Sequence, residues 1–227
     1  MGLEHEQEIY RSIKQAIIEQ KLRPNMQLVE EVLAESFGVS RTPVRNVVRK
    51  LASEKLVTMI PYRGAFVSCP TIQEAKEVFE MRQVIEAAVV RKLCGRLTEQ
   101  QIEELGILLE KEHEAQANGD IFGAISITGS FHLKLAELSN NSYYSRSLEE
   151  LISLTYVIIA LYGEQQMKAC MDHHRILDAI RRQDAVTAER LMREHLQELE
   201  DSLRFEQSED RLLSLADIFK TERQAHT

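Results

Sequence analysis

The sequence predicts a mainly α-helical protein: an N-terminal winged helix-turn-helix followed by an all-helical bundle of six to seven helices. Three observations carry that prediction. Glycine and proline are sparse, at 9 and 4 among 227 residues, which favours long helices over a turn-rich β fold. Within the first 69 residues two helical stretches, a glycine turn, an arginine-bearing helix and a glycine-tipped hairpin follow one another. Beyond Pro70, helix-start signatures open one long stretch after another.

Ile9, Ile13 and Ile17 are helically spaced and place a first helix over Leu3 to Gln20, ended by the turn at Pro24-Asn25. Glu30 to Phe37, with Val32, Leu33, Ala34 and Phe37, forms a second, closed by Gly38 as C-cap. Ser40 then caps a third helix in which Val44, Val47, Val48 and Leu51 make one apolar stripe. Arg45 and Arg49 lie one turn apart on another face, with Arg41 and Thr42 at the exposed first turn. Leu56 to Ile60 and Ala65 to Ser68 read as two strands joined by Pro61-Tyr62-Arg63-Gly64. Arginines one turn apart are usually a solvated face. This order of elements instead fits a helix whose first turn enters the DNA major groove, with Arg63 and Gly64 at the tip of a wing.

Pro70-Thr71 marks the boundary between residues 1–69 and 70–227. Thr71 with Glu74 and Thr98 with Gln101 are capping boxes, opening helices to about Leu93 and about Ala117. Further helices are expected over Asp120–Leu138, Tyr143–Tyr162, Gln166–Arg182 and from Asp184 to about Phe205, with a short terminal helix or frayed end after Ser208. Gly123 and Gly129 are unusual inside a helix, each costing about 1 kcal/mol relative to alanine.

The net charge of −8 argues against a nucleic-acid partner until its distribution is considered. Residues 1–69 carry 10 Lys/Arg against 8 Asp/Glu, and from Ser40 to Gly64 six basic residues face one acidic residue, Glu54. A local basic patch on an acidic body can bind DNA, because phosphate attraction is screened within about a Debye length. Three scattered cysteines suggest no disulfide framework, and Glu4, Glu6 and Glu8 are the wrong chemistry for a signal peptide. The longest apolar run, Leu154 to Tyr162, is too short to span a bilayer. These features point to a cytoplasmic protein with no membrane partner.

His132, His173 and His195 fall on three different predicted helices in apolar contexts. A single histidine in such a place is more often a satisfied core residue. Three near the mid-depth of a bundle suggest one transition-metal site. Arg82 lies one turn before Glu86, and by spacing alone is a surface ion pair with Glu86 or Glu80.

Leu28-Val29-Glu30, Leu33-Ala34, Phe37 through Arg45, Leu51, Leu56-Val57 and Arg63-Gly64-x-Phe66-Val67 resemble the DNA-binding domain of GntR-type bacterial transcription regulators, over about residues 9–69. The family usually has Pro-Gly where this chain has Pro24-Asn25, and Glu-Ala-Leu where it has Asn46-Val47-Val48. The resemblance makes Arg41, Thr42, Arg45, Arg63 and Gly64 the operator contacts, with Arg49 as a phosphate contact. Arg82-x-x-Ile85-Glu86, Phe131-His132, Asn141, His173-x-x-Ile176-Leu177-x-Ala179-Ile180, Asp184, Ala188 and His195-Leu196 resemble the FadR-like effector domain called FCD, over about residues 72–205. That resemblance makes His132, His173 and His195 ligands of a divalent metal, Zn²⁺ or Ni²⁺. It makes Arg82 the fork for a small carboxylate effector; Asn141 and Tyr156 are candidates to add hydrogen bonds to it. Metal-binding members carry an aspartate or asparagine one turn before the first histidine. Here Thr128 stands in that place, and its neutral hydroxyl is a poorer ligand than a carboxylate.

The function expected from this reading is a ligand-responsive bacterial regulator rather than an enzyme. It is a repressor that binds double-stranded operator DNA as a homodimer across two related half-sites. Two other readings use the same residues: a sensor for which the metal is itself the signal, and a metal-dependent hydrolase. The hydrolase lacks a clearly placed general base.

Overall fold

The computed structural model describes residues 2–163 and 172–205, which form two compact units. Of the described residues, the first comprises 2–70 and 156–162, and the second 71–155, 163 and 172–205. The expected terminal helix after Ser208 and the start of the helix expected from Gln166 lie outside the described residues.

In the first unit, α1 (Gly2–Ile18), α2 (Glu30–Phe37) and α3 (Arg41–Ser53) surround a core of Ile9, Ile13, Ile17, Leu33, Val44, Val48 and Leu51. Gly38 ends α2 in a left-handed conformation, φ 67°, so its amide can turn back to the Ala34 and Glu35 carbonyls and the chain can enter α3. Asn25 has φ 65°, so asparagine supplies the left-handed turn residue after Pro24. Ser40 has the extended backbone of an N-cap but makes no capping side-chain bond. The hairpin pairs β2 (Val57–Ile60) with β3 (Gly64–Val67), Ile60 opposite Gly64. A third strand, β1 (Gln27–Leu28), was not expected, because two residues carry no readable alternation. It adds antiparallel to β3, giving the order β1-β3-β2.

The second unit contains α4 (Ile72–Leu93), α5 (Glu99–Ala117), α6 (Ile121–Leu138), the first part of α7 (Ser142–Tyr162), α8 (Asp172–Arg181) and α9 (Ala185–Asp201). Both capping boxes form: Thr71 and Thr98 accept from the amides of Glu74 and Gln101, whose side chains accept from the cap amides in return. Asp120 caps α6 by accepting from the Gly123 amide. A Cβ at residue 123 would meet the Asp120 carboxylate in this capping position, so glycine lets the cap form without displacing it. α4 packs on α9 and α6, α5 on α6 and α8, and α8 on α9, so the buried faces of α6, α8 and α9 lie in one core. The end of α7, Tyr156–Tyr162, groups with the first unit, where Val157 joins the core around Ile13 and Val48. Among the described residues, no helix is long and apolar enough to cross a membrane.

Candidate functional site

On α3, Val44, Val47, Val48 and Leu51 are buried, which leaves Arg41, Thr42, Arg45 and Arg49 exposed on the opposite side. Two of these arginines are paired with acidic residues of α2. The Arg41 guanidinium donates to Glu31. Arg45 donates to Glu30 through Nε and Nη2, each at 3.0 Å from Oε2. The side chains of Arg41 and Arg45 stay 57% and 51% exposed, so both can exchange a carboxylate for another anion at little cost. Asn46 donates to Glu6 of α1 at 2.8 Å. In the hairpin turn, Gly64 takes φ 103°, and the Arg63 carbonyl accepts from Gln27 at 2.8 Å. The Arg63 guanidinium lies 5.5 Å from the Phe66 ring centre and remains exposed at the tip.

In the second unit, His132 of α6, His173 of α8 and His195 of α9 meet. Each offers a ring nitrogen within 4.8 Å of the others', and all three residues are buried. The ring centres lie 4.4 Å apart for His173 and His195 and 5.3 Å apart for His132 and His195. Phe131 closes the apolar side, 5.2 Å from His173. Hydrogen bonds decide which nitrogens face the cluster. Glu86 of α4 holds His132 Nδ1, and Glu112 of α5 holds His173 Nδ1 at 3.0 Å. That leaves Nε2 of both rings directed inward, with His173 Nε2 3.2 Å from His195 Nε2. His132 Nε2 is buried and has no hydrogen-bond partner among the described residues. A buried polar atom without a partner normally costs stability, and a ligated cation is one way to satisfy it.

Burial pushes the His132 imidazole below its ordinary pKa, against the pull of Glu86. Burial, reinforced by the charges of His173, His132 and Arg82, pushes His195 well below its own. Neutral rings are the form that binds metal. Burial acts to raise the Glu86 carboxyl, but the Arg82 charge and the bonds from Arg82 and His132 outweigh it and hold it down to about 2.

Arg82 is placed differently from its sequence reading as a surface ion pair. It is 2% exposed, donates from Nε to Glu86 Oε1 at 2.7 Å and from Nη1 to Thr155 Oγ1 at 3.2 Å. Its expected role as a fork for an effector therefore competes with a buried partner. Asn141 is not brought to the histidines by any observed bond. Its Oδ1 accepts from the Tyr143 and Tyr144 amides, so it caps α7. Tyr156 groups with the first unit, where the Lys14 ammonium lies 5.6 Å from its ring centre. Thr128, one turn before His132 on α6, donates to Glu112 at 2.7 Å.

Glu112 was missed by the sequence reading, and Glu86 was read only as a partner of Arg82 and not of His132, although a signal existed. Glu112 continues the buried stripe of Ile102, Leu105 and Leu109 on α5, and Glu86 lies among Phe79, Ile85, Val89 and Val90 on α4. A carboxylate in an apolar stripe implies a buried partner.

The fold defines a class: a winged helix-turn-helix unit followed by an all-helical unit that gathers three histidines. Comparison with known proteins makes this specific. Residues 5–67 match the bacterial regulatory proteins of the gntR family, and residues 77–198 match the FCD domain. The chain belongs to the GntR family of bacterial transcription regulators, with an FCD domain. It is 28% identical over 202 residues to the HTH-type transcriptional repressor RspR of Escherichia coli K12, a match covering 87% of this chain and 88% of that one. Its fold is similar to that of a GntR regulator from Rhodococcus sp. RHA1, with a TM-score of 0.75 and 23% identity over 86% of this chain and 95% of that one. E. coli McbR/YncC gives a TM-score of 0.72 at 23% identity, over 86% of this chain and 94% of that one. The family and these relatives are transcription regulators, not enzymes, which sets the hydrolase reading aside.

Proposed function

We propose that this regulator is a cytoplasmic, homodimeric repressor whose hold on operator DNA is set by a small organic carboxylate bound at a metal in the second unit. His132, His173 and His195 would hold Zn²⁺ or Ni²⁺. The observation that carries this reading is the convergence of three buried imidazoles with His132 Nε2 left without a partner among the described residues. Borderline-soft divalent cations favour such nitrogen donors. A bound metal would supply Lewis acidity for the oxygens of a carboxylate. Phe131 excludes water on one side, and the buried Arg82–Glu86 pair fixes the ring of His132.

On DNA, Arg41, Thr42 and Arg45 would read base edges from the first turns of α3, Arg49 would contact a phosphate, and Arg63 with Gly64 would follow the minor groove. One such head makes few contacts, so two related half-sites and a two-fold dimer are needed for operator affinity. Met81 and Val84, one turn apart on α4 and 50% and 55% exposed, offer apolar surface for a second copy. The relative RspR carries the word repressor in its name, which supports that sign of regulation.

The test uses the full chain, stripped of metal and then reloaded with Zn²⁺. Anisotropy of a labelled duplex, selected from genomic fragments, is recorded against a panel of small carboxylic acids. The reading requires an acid that weakens binding only when Zn²⁺ is present. It also requires that His173→Ala lose both the metal, by elemental analysis, and the response. Loss of binding with Zn²⁺ alone would assign the metal itself as the signal. Full metal content in His173→Ala would refute the ligand set.

A further inference from the structure

Glu112 makes more contacts than a structural carboxylate in an apolar stripe needs. It is 4% exposed, on α5, and takes no salt bridge from lysine or arginine among the described residues. Its Oε1 accepts from the Thr128 hydroxyl at 2.7 Å and from Gln116 Nε2 at 3.3 Å. Its Oε2 lies 3.0 Å from His173 Nδ1, with Oε1 at 3.2 Å. Two donors fix the carboxylate from one side, so its remaining face is presented to the ring of His173 as an acceptor. An acceptor at Nδ1 calls for the proton there, and in the tautomer that can bind a metal this leaves the lone pair on Nε2, which lies 3.2 Å from His195 Nε2. Nδ1 and Nε2 lie on opposite sides of the ring, so Glu112 sits outside the cluster of inward nitrogens and acts on it through His173.

Resting on the metal reading above, we infer that Glu112 is a positioning residue for metal binding. Aligned by Thr128 and Gln116, it holds His173 in the tautomer and orientation that present Nε2 to the ion. Thr128 therefore contributes from one turn before His132 without being a ligand: its hydroxyl donates a hydrogen bond to Glu112. The acidic group of this part of the site is supplied by α5 and stays behind the ring, so the inner donors are the nitrogens of three imidazoles. The coordination positions they leave are open to an exogenous anion. Glu86 does the same for His132 from α4. The two carboxylates are 46 and 61 residues from the rings they orient. Partners of this kind are worth about 10–100-fold in metal affinity.

Glu112→Gln tests the inference, because the amide conserves shape while breaking the pattern of acceptors. With its NH2 toward His173, it meets the Nδ1 proton; with its NH2 reversed, it meets the Gln116 donor. The metal-free full chain is titrated with Zn²⁺ against a chromophoric chelator and with Co²⁺ by visible absorption, alongside the melting temperature of the metal-free protein. The expected result is a loss of about 10–100-fold in Zn²⁺ affinity and an altered Co²⁺ spectrum in Glu112→Gln, with the metal-free melting temperature near that of the wild type. Thr128→Val, which leaves Glu112 in place, should show a smaller loss in the same direction, and Thr128→Ser should restore binding. If Glu112→Gln does not fold, the Thr128 pair decides. Wild-type affinity and spectrum in both Glu112→Gln and Thr128→Val, with His173→Ala still unable to bind, would overturn the role of Glu112 and leave the metal site standing. Failure of the wild type itself to bind Zn²⁺ or Co²⁺ would overturn both.

Discussion

Arg45 and Arg82 make the same bond in opposite surroundings. Each donates to a glutamate, Arg45 to Glu30 across two helices and Arg82 to Glu86 one turn along α4. The Arg45 and Glu30 side chains are 51% and 27% exposed, those of Arg82 and Glu86 3% and 2%. Water and salt compete for the first pair, so the proposed exchange of Glu30 for a phosphate or a guanine edge would cost little. Nothing in solvent competes for the second, and either charge without the other would be buried and uncompensated. One chemistry thus serves exchange in the first unit and permanence in the second.

The largest effect that separates the two pairs is on stability. Arg82→Ala strands Glu86 and also removes the bond to Thr155, and should cost about 3–5 kcal/mol in denaturant unfolding of the full chain. A loss under about 1 kcal/mol would mean the pair is solvated in solution and belongs with Arg45. The next effect is on DNA. Arg45→Ala should leave the unfolding midpoint near that of the wild type while lowering affinity for a selected fragment by roughly fivefold to a hundredfold, the range of one base-edge contact.

The smallest effect concerns the cap of α4, an exposed site of the second unit. Thr71→Ala removes the side-chain acceptor of the capping box and should cost about 1 kcal/mol. The same box gives a pH dependence. The bonds from the Thr71 amide and hydroxyl hold the Glu74 carboxyl below its ordinary 4.5. A carboxyl lowered on folding adds stability that is complete above that ordinary value and fades as pH falls toward the lowered one. Stability should therefore drop below about pH 4.5, and Glu74→Gln should flatten that part of the profile. An unchanged acid limb in Glu74→Gln would remove the cap from the account.

The elements that the sequence makes legible are those whose signals are local. Thr71 with Glu74, Thr98 with Gln101 and Gly38 each mark a helix end within four residues of chain, and the structure forms all three. The three histidines were readable as a group because each sits in an apolar helical context. What was not readable depends on distance along the chain. Spacing of i, i+4 is the same for an exposed and a buried ion pair, so the burial of Arg82 could not be seen. Glu86 and Glu112 orient rings far away in sequence, and only their place in apolar stripes hinted at partners. Asn141 and Tyr156 carry bonds that no spacing announced: Asn141 caps α7, and Tyr156 lies beside Lys14.

The most direct test of the difference between the two arginines is competition binding of wild type and Arg45→Ala to a genome-selected fragment against random duplex at physiological salt. The wild type should prefer the fragment clearly and Arg45→Ala should lose that preference, with both proteins unfolding at the same denaturant concentration. An equal preference in both proteins, or none in the wild type, would contradict it.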